Sequence, residues 1–261
     1  MGKRIMDVTI VLPISRELIL DRLFAGLELL ECDKERTNLF VYVDGDNNLY
    51  TKTRNLVEQS KFNQRLCVQR KDSTKVNNFS IEKRRKRIAD IHNEIKQYLV
   101  KSDFVFLIED DTLLPSYALK YLFEGYRAQP YAGLVTGWEL GRWGVPYIGV
   151  WRTDDVYKPS ELKSVINSQG LEPIDASGLY CCLTRTEHYM AHEFKPYSDV
   201  LGADVDYGLK LRTDGFMNYV DWRVKCEHYN NKGLVVKDKP VVAFLRKNDQ
   251  GTWIAGKEDV A

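Results

Sequence analysis

With 261 residues, 44% of them hydrophobic, the chain is long enough to fold as one large α/β domain or two small ones around a substantial core. Its 38 basic and 37 acidic residues leave a formal charge of +1, so no overall field draws it to nucleic acid or to a membrane surface. The five cysteines, Cys32, Cys67, Cys181, Cys182 and Cys226, are odd in number and contain no C-x-x-C pair, which argues against a zinc site or a disulfide framework and for reduced thiols.

The first residues reach Asp7 and Pro13 before any apolar run of signal-peptide length, and no later run nears the roughly 18 apolar residues of a membrane span. A cytoplasmic protein is expected. Val8-Thr9-Ile10-Val11-Leu12, closed by Pro13, has the pattern of a buried strand ending in a loop. Between Leu18 and Leu30, apolar residues recur at helical spacing. Leu39 to Val43 is a second buried strand, cut off by the turn-forming run Asp44-Gly45-Asp46-Asn47-Asn48, and a helical segment near Asn55 to Lys61 crosses back. From Ile81 to Leu99, the residues Ile88, Ile91, Ile95 and Leu99 fall at three- and four-residue steps, which predicts a helix with one packed face and with Lys83, Arg85 and Lys86 in water.

Phe104-Val105-Phe106-Leu107-Ile108 follows as the most apolar strand candidate. This alternation implies a mostly parallel, Rossmann-like α/β sheet with helices on both faces, within a single compact unit. The later strands, around Leu134, Tyr147 and Leu179, are short and lie between glycine-rich loops, a pattern suited to shaping a pocket. A soft boundary therefore falls near residue 112, and residues 236–261 read as a C-terminal tail, polar from Lys247 onward.

Ligands of a parallel α/β sheet collect beyond the carboxyl ends of its strands, where Glu109-Asp110-Asp111 stands. Three adjacent carboxylates repel one another, and a divalent cation offsets that repulsion. Their oxygens suit Mg2+ or Mn2+, which can bridge to nucleotide phosphates. The plain alternative is a solvated acidic turn.

This order of strand, Asp44-Gly45 turn, arginine-bearing helix and apolar strand ending in Glu109-Asp110-Asp111 resembles the inverting family 2 glycosyltransferases of the glycosyltransferase A fold. The resemblance implies transfer of a sugar from a UDP- or GDP-sugar to an acceptor hydroxyl, with residues 1–112 as the nucleotide-sugar half and 113–235 as the acceptor half. It implies that Asp111 binds the metal, that Asp110 or Glu109 reaches the ribose or metal-bound water, and that Asp44 meets the base. The loop from Pro13 to Arg16 would line the nucleotide, and Arg84 or Arg87 would support phosphate charge. Glu109 stands where the family usually has aspartate.

A second segment, Gly202-Ala203-Asp204-Val205-Asp206, resembles the family stretch in which an acidic pair opens a helix beside the acceptor, with Ala203 in place of the usual glutamate. Asp204 then aligns with the general base, and Asp206 is its competitor. By the same resemblance His228 is a late metal ligand, better suited to manganese than to magnesium. Trp138, Trp143 and Trp151 offer faces for sugar rings or bases, and Asp175 and Ser177 could bind hydroxyls.

The acceptor stays open among glycans, lipid-linked glycans, proteins and modified nucleic-acid bases. Two rivals stand beside this reading. One is a nucleotidyltransferase, whose glycine-rich, arginine-containing first loop is missing after Leu12. The other is a nonenzymatic nucleotide- or glycan-binding module.

Overall fold

A computed structural model describes residues 6–71, 80–99, 101–142, 146–165, 169–198, 201–230, 232–235 and 241–258. The first half alternates, with β3 as a strand the sequence reading did not contain: β1 (Val8–Ile14), α1 (Leu20–Glu28), β2 (Thr37–Val43), α2 (Asn47–Gln59), β3 (Arg65–Gln69), α3 (Ile81–Ile95) and β4 (Phe104–Ile108). Then come β5 (Thr112–Leu113), α4 (Ala118–Ala128), β6 (Ala132–Trp138), β7 (Leu140–Arg142), β8 (Pro146–Ile148), β9 (Val150–Thr153), β10 (Glu161–Ser164), β11 (Leu171–Ile174), β12 (Ala176–Ser177) and β13 (Cys181–Arg185). The chain continues through α5 (Thr186–Ala191), α6 (Ala203–Thr213), β14 (Met217–Lys225), β15 (Glu227–His228), β16 (Val242–Lys247) and β17 (Trp253–Glu258).

An eight-stranded sheet in the order β11-β14-β6-β13-β4-β1-β2-β3 forms the centre. Strands β3, β2, β1, β4, β6 and β14 run one way and β13 and β11 the other, so the sheet is mostly parallel. Strand side chains alternate between its faces. Ile10, Leu12, Leu39, Val41, Phe104 and Phe106 pack with α1, α2 and α4 on one face. On the other, Val11, Phe40, Tyr42, Val105 and Leu107 pack with α3, α5 and α6. Burial on both faces explains why these strands read as unbroken apolar runs.

Three expectations change. α2 begins at Asn47, well before Asn55, because the Asp46 carboxylate caps it by accepting from the Leu49 N–H at 3.0 Å. In α3 the packed residues are Ala89, Ile91, His92 and Ile95, while Ile88 is 51% exposed and Arg84 is exposed too. Arg84, which its place four residues before Ile88 would put on the packed face, therefore does not lie there.

Within the expected tail, the described residues 241–258 are not a solvated polar segment, since β16 and β17 complete a five-stranded antiparallel sheet, β12-β9-β10-β16-β17, whose core includes Ala243 and Leu245. The run Val241-Val242-Ala243-Phe244-Leu245 carried the strand signal. All five cysteines are free. Among the described residues, no helix is long and apolar enough to cross a membrane.

Candidate active site

The ladder between β1 and β4 stops at Val11↔Leu107, whereas the ladder between β1 and β2 continues to Ile14↔Val43. Past Leu107 the two chains are free to part. The sheet order also reverses at β1, with β2 and β3 on one side and β4 on the other, the arrangement that opens a ligand crevice at the strands' carboxyl ends. Pro13 lies in β1 beyond the last β4 pair, where its missing N–H breaks no bond to that strand.

Across this crevice the loop after β1 meets the turn after β4. One oxygen of Asp110 accepts from the Ser15 N–H at 2.8 Å, the Ser15 hydroxyl at 2.9 Å and the Arg16 N–H at 3.1 Å. Its other oxygen takes the Arg16 guanidinium, which also reaches Asp111 at 2.8 Å. Asp111 is 1% exposed and so points inward, away from open solvent.

The short β5–β15 ladder sets His228 opposite Thr112, and the Tyr229 N–H donates to the Asp111 carbonyl at 2.8 Å. His228 Nε2 thereby lies 3.4 Å from the Asp111 carboxylate. Behind the ring, Nδ1 donates to the Leu140 carbonyl at 2.8 Å and lies 3.3 Å from Glu139, which accepts from the Thr112 hydroxyl at 2.8 Å. Burial works against a charged ring, but the bond to Asp111 and the charges of Glu139 and Asp111 outweigh it and raise the His228 pKa.

With its proton held on Nδ1 by a carbonyl, the neutral ring turns a lone pair toward a carboxylate, an arrangement that a shared proton or cation relieves. A backbone carbonyl and a carboxylate behind the second nitrogen are the usual support of a metal-bound histidine. The donor set therefore fits a divalent cation. Among the described residues no three His, Cys, Asp or Glu side chains form a closed cage, so water or phosphate oxygens would complete the coordination.

Glu109 is exposed at the opening yet ringed by protein. Loss of surrounding water, followed by the charges of Asp111, Asp204 and Asp110, pushes its carboxyl up to about 8, and water entering through the opening tempers the effect. Asp204, in the first turn of α6, thus shares this field. Burial raises the Asp204 pKa, opposed by the N–H groups of Val205 and of Asp204 itself and by Arg85. Asp206 is instead tied to Lys210 at 2.6 Å.

Asp44, 2% exposed, is clamped by both Nε and Nη2 of Arg87, with Arg70 at 3.9 Å. Of the two arginine candidates, Arg87 is thus the one joined to the crevice wall. The clamp occupies both Asp44 oxygens, so this carboxylate is not open to a base in the way expected.

The acceptor-side candidates that are described are buried or already bonded within the protein. Trp151 is buried against Tyr147, and Ser177 is fully enclosed, so neither offers a surface to an acceptor. Trp138 donates its indole N–H to the Trp222 carbonyl at 3.0 Å and packs on that ring. Asp175 braces Arg212 at 2.9 Å and accepts from the Thr153 N–H. Trp143 lies outside the described residues. Sequence reasoning missed Glu139, whose only signal was an acid between the apolar residues Trp138 and Leu140, and Arg85, taken for a solvated basic residue.

No protein-family model matches the chain, and no curated protein sequence matches it. Solved structures do. The mannosyltransferase PcManGT from Pyrobaculum calidifontis, in complex with GDP-Man and Mn2+, is similar over 88% of this chain and 59% of its own, with TM-score 0.60 and 14% identity. GalNAc-T7 with UDP, GalNAc and Mn2+ is similar over 89% of this chain and 45% of its own, with TM-score 0.62 and 10% identity. TarS 1–349 from S. aureus, in complex with UDP-GlcNAc, covers 91% of this chain and 58% of its own, with TM-score 0.51 and 12% identity. The chain thus spans about half the length of these proteins. A mostly parallel sheet with helices on both faces, a crevice at the ends of β1 and β4, and these likenesses together establish that the chain has the glycosyltransferase A fold.

Proposed function

We propose that this chain is a metal-dependent glycosyltransferase that moves a sugar from a UDP- or GDP-sugar to an acceptor hydroxyl, with inversion at the anomeric carbon. The observation that carries this reading is the Asp111–His228 pair, enclosed at the carboxyl ends of β1 and β4 and braced by Leu140 and Glu139. The bound donors of the similar structures support it at the level of substrate class.

Asp111 and His228 are the residues that would hold manganese or magnesium, and a bound ion would neutralise charge on the departing diphosphate. Asp110 fixes the loop that carries Ser15 and Arg16 along the nucleotide. Asp44 fixes the orientation of Arg87 at the crevice wall, so Asp44 acts on the nucleotide through Arg87. Asp204 takes the proton of the acceptor hydroxyl as that oxygen bonds to the anomeric carbon and the bond to the diphosphate oxygen breaks. Its raised pKa makes the carboxylate a stronger base than an ordinary aspartate. Asp206, neutralised by Lys210, is left to anchor α6.

The test is donor hydrolysis and transfer with UDP- and GDP-sugars, with and without Mn2+, for the unaltered chain and for Asp111→Asn and Asp204→Asn. Asp111→Asn is expected to abolish turnover and metal dependence together, and Asp204→Asn to abolish turnover while leaving donor binding intact. Unchanged turnover in Asp111→Asn defeats the assignment. Tight donor binding without turnover in the unaltered chain would favour a binding module.

A further inference from the structure

Arg16 contacts both carboxylates of the turn after β4, and the oxygen of Asp111 that it touches at 2.8 Å is the one that faces His228 Nε2 at 3.4 Å. A guanidinium and a divalent ion at that position would share one oxygen. The guanidinium is also placed there by the fold: Asp110 anchors the Ser15 and Arg16 N–H groups with one oxygen and takes the guanidinium with the other. Partial burial works against the Arg16 charge, but Asp110 and Asp111 reverse that effect and raise its pKa. At any physiological pH the group is a permanent cation.

Resting on the reading of Asp111 as metal ligand, we propose that Arg16 is the resident counter-cation of Asp110 and Asp111, which the divalent ion displaces and which then pairs with the donor diphosphate. The side chain is 38% exposed, so it has room to swing. Its planar fork suits phosphate oxygens as well as carboxylates. Metal alone must break the Arg16 contacts without replacing them, whereas metal with a nucleoside diphosphate gives the guanidinium a new anion. Arg16 therefore holds metal affinity low until donor arrives and makes the two bind together.

The test is Mn2+ binding without any turnover, read from the electron paramagnetic resonance of the free ion. The full chain is compared with Arg16→Gln, Arg16→Lys and Asp111→Asn, each with and without UDP or GDP. Arg16→Gln is expected to bind Mn2+ alone at least tenfold more tightly than the unaltered chain. Arg16→Lys, charged but without the fork that spans both carboxylates, should fall between. Added nucleoside diphosphate should tighten Mn2+ binding more in the unaltered chain than in Arg16→Gln.

Equal or weaker Mn2+ binding in Arg16→Gln, with the dependence on Asp111 intact, overturns the displacement. If thermal melting shows that Arg16→Gln is unfolded, Arg16→Lys decides by the same criterion. A chain that binds no Mn2+ through Asp111, with or without nucleotide, removes the metal assignment itself, a result distinct from failure of the displacement alone.

Discussion

A carboxylate enclosed by protein needs a partner, and Glu139, 3% exposed, has Thr112 and His228. Burial holds its pKa well above the usual carboxylate range, and the neighbouring His228 only partly opposes that rise. Glu139→Gln keeps the shape and the bond to Thr112 but puts behind the imidazole an amide that cannot take up negative charge when the ring binds a cation. The chain should melt at an unchanged temperature while Mn2+ affinity falls about 10- to 100-fold, as for other supports of metal-bound histidines; a calorimetric titration beside a melting curve checks both.

His92 makes a prediction of a different kind. Burial, and then the charge of Lys96, lowers its pKa from 6.5 to about 4. The unfolded chain therefore takes up the proton first as pH falls. Stability is fully present above about 6.5 and drains away down to about 4, by a total on the order of 3 kcal/mol from this group. His92→Phe, which keeps a ring against Phe194, should flatten that part of the urea-unfolding profile. His188 and His192, both lowered by burial as well, add slope of the same sign to the profile that remains. His228 was legible through its place in the order of motifs, whereas Glu139 was not, because its partners come from positions 112 and 228 and meet only once β5 and β15 pair.

Among the elements, α3 shows how far periodicity reaches. Its spacing located the helix, but packing begins only at Ala89, so the pattern assigned Ile88 and Arg84 to a face that nothing in the helix's buried set requires. What fixes its first half is Arg87, which ties α3 to the end of β2 through Asp44. Arg70 belongs to the same knot, bonding to Glu94 at 2.6 Å, and Tyr42 donates to Glu94 at 2.6 Å. Arg87→Ala leaves the Asp44 charge buried with Arg70 at 3.9 Å as its remaining cation. A loss of about 3 kcal/mol is expected in denaturant titrations, as when one member of a buried pair is removed, together with weakened nucleotide binding.

β1, β2 and β4 were legible because both of their faces are covered, whereas the edge strand β3, with Arg65 and Leu66 exposed, was not. β5, β12 and β15 were not, because two residues each carry no period. The aromatic residues misled for a related reason, since a tryptophan that fills a core and one that stacks on a sugar look alike until burial is known.

For the molecule as a whole, the five-stranded sheet is the part furthest from the sequence reading. β16 lies between β10 and β17, and Leu162 and Leu245 are buried in the small core there. A chain ended at residue 235 should lose at least about 3 kcal/mol from these two leucines alone, at about 1.5 kcal/mol or more each. Removal of a solvated tail would leave thermal melting unmoved, so the melting curve separates the two descriptions.

The two-residue pairing of β5 with β15 has a consequence for synthesis. The carboxylate at position 111 leaves the ribosome long before the imidazole at position 228, and only that pairing brings them within 3.4 Å. A growing polypeptide can thus complete its first sheet strands while still unable to bring this pair together, which waits until position 228 has been made and β15 has paired.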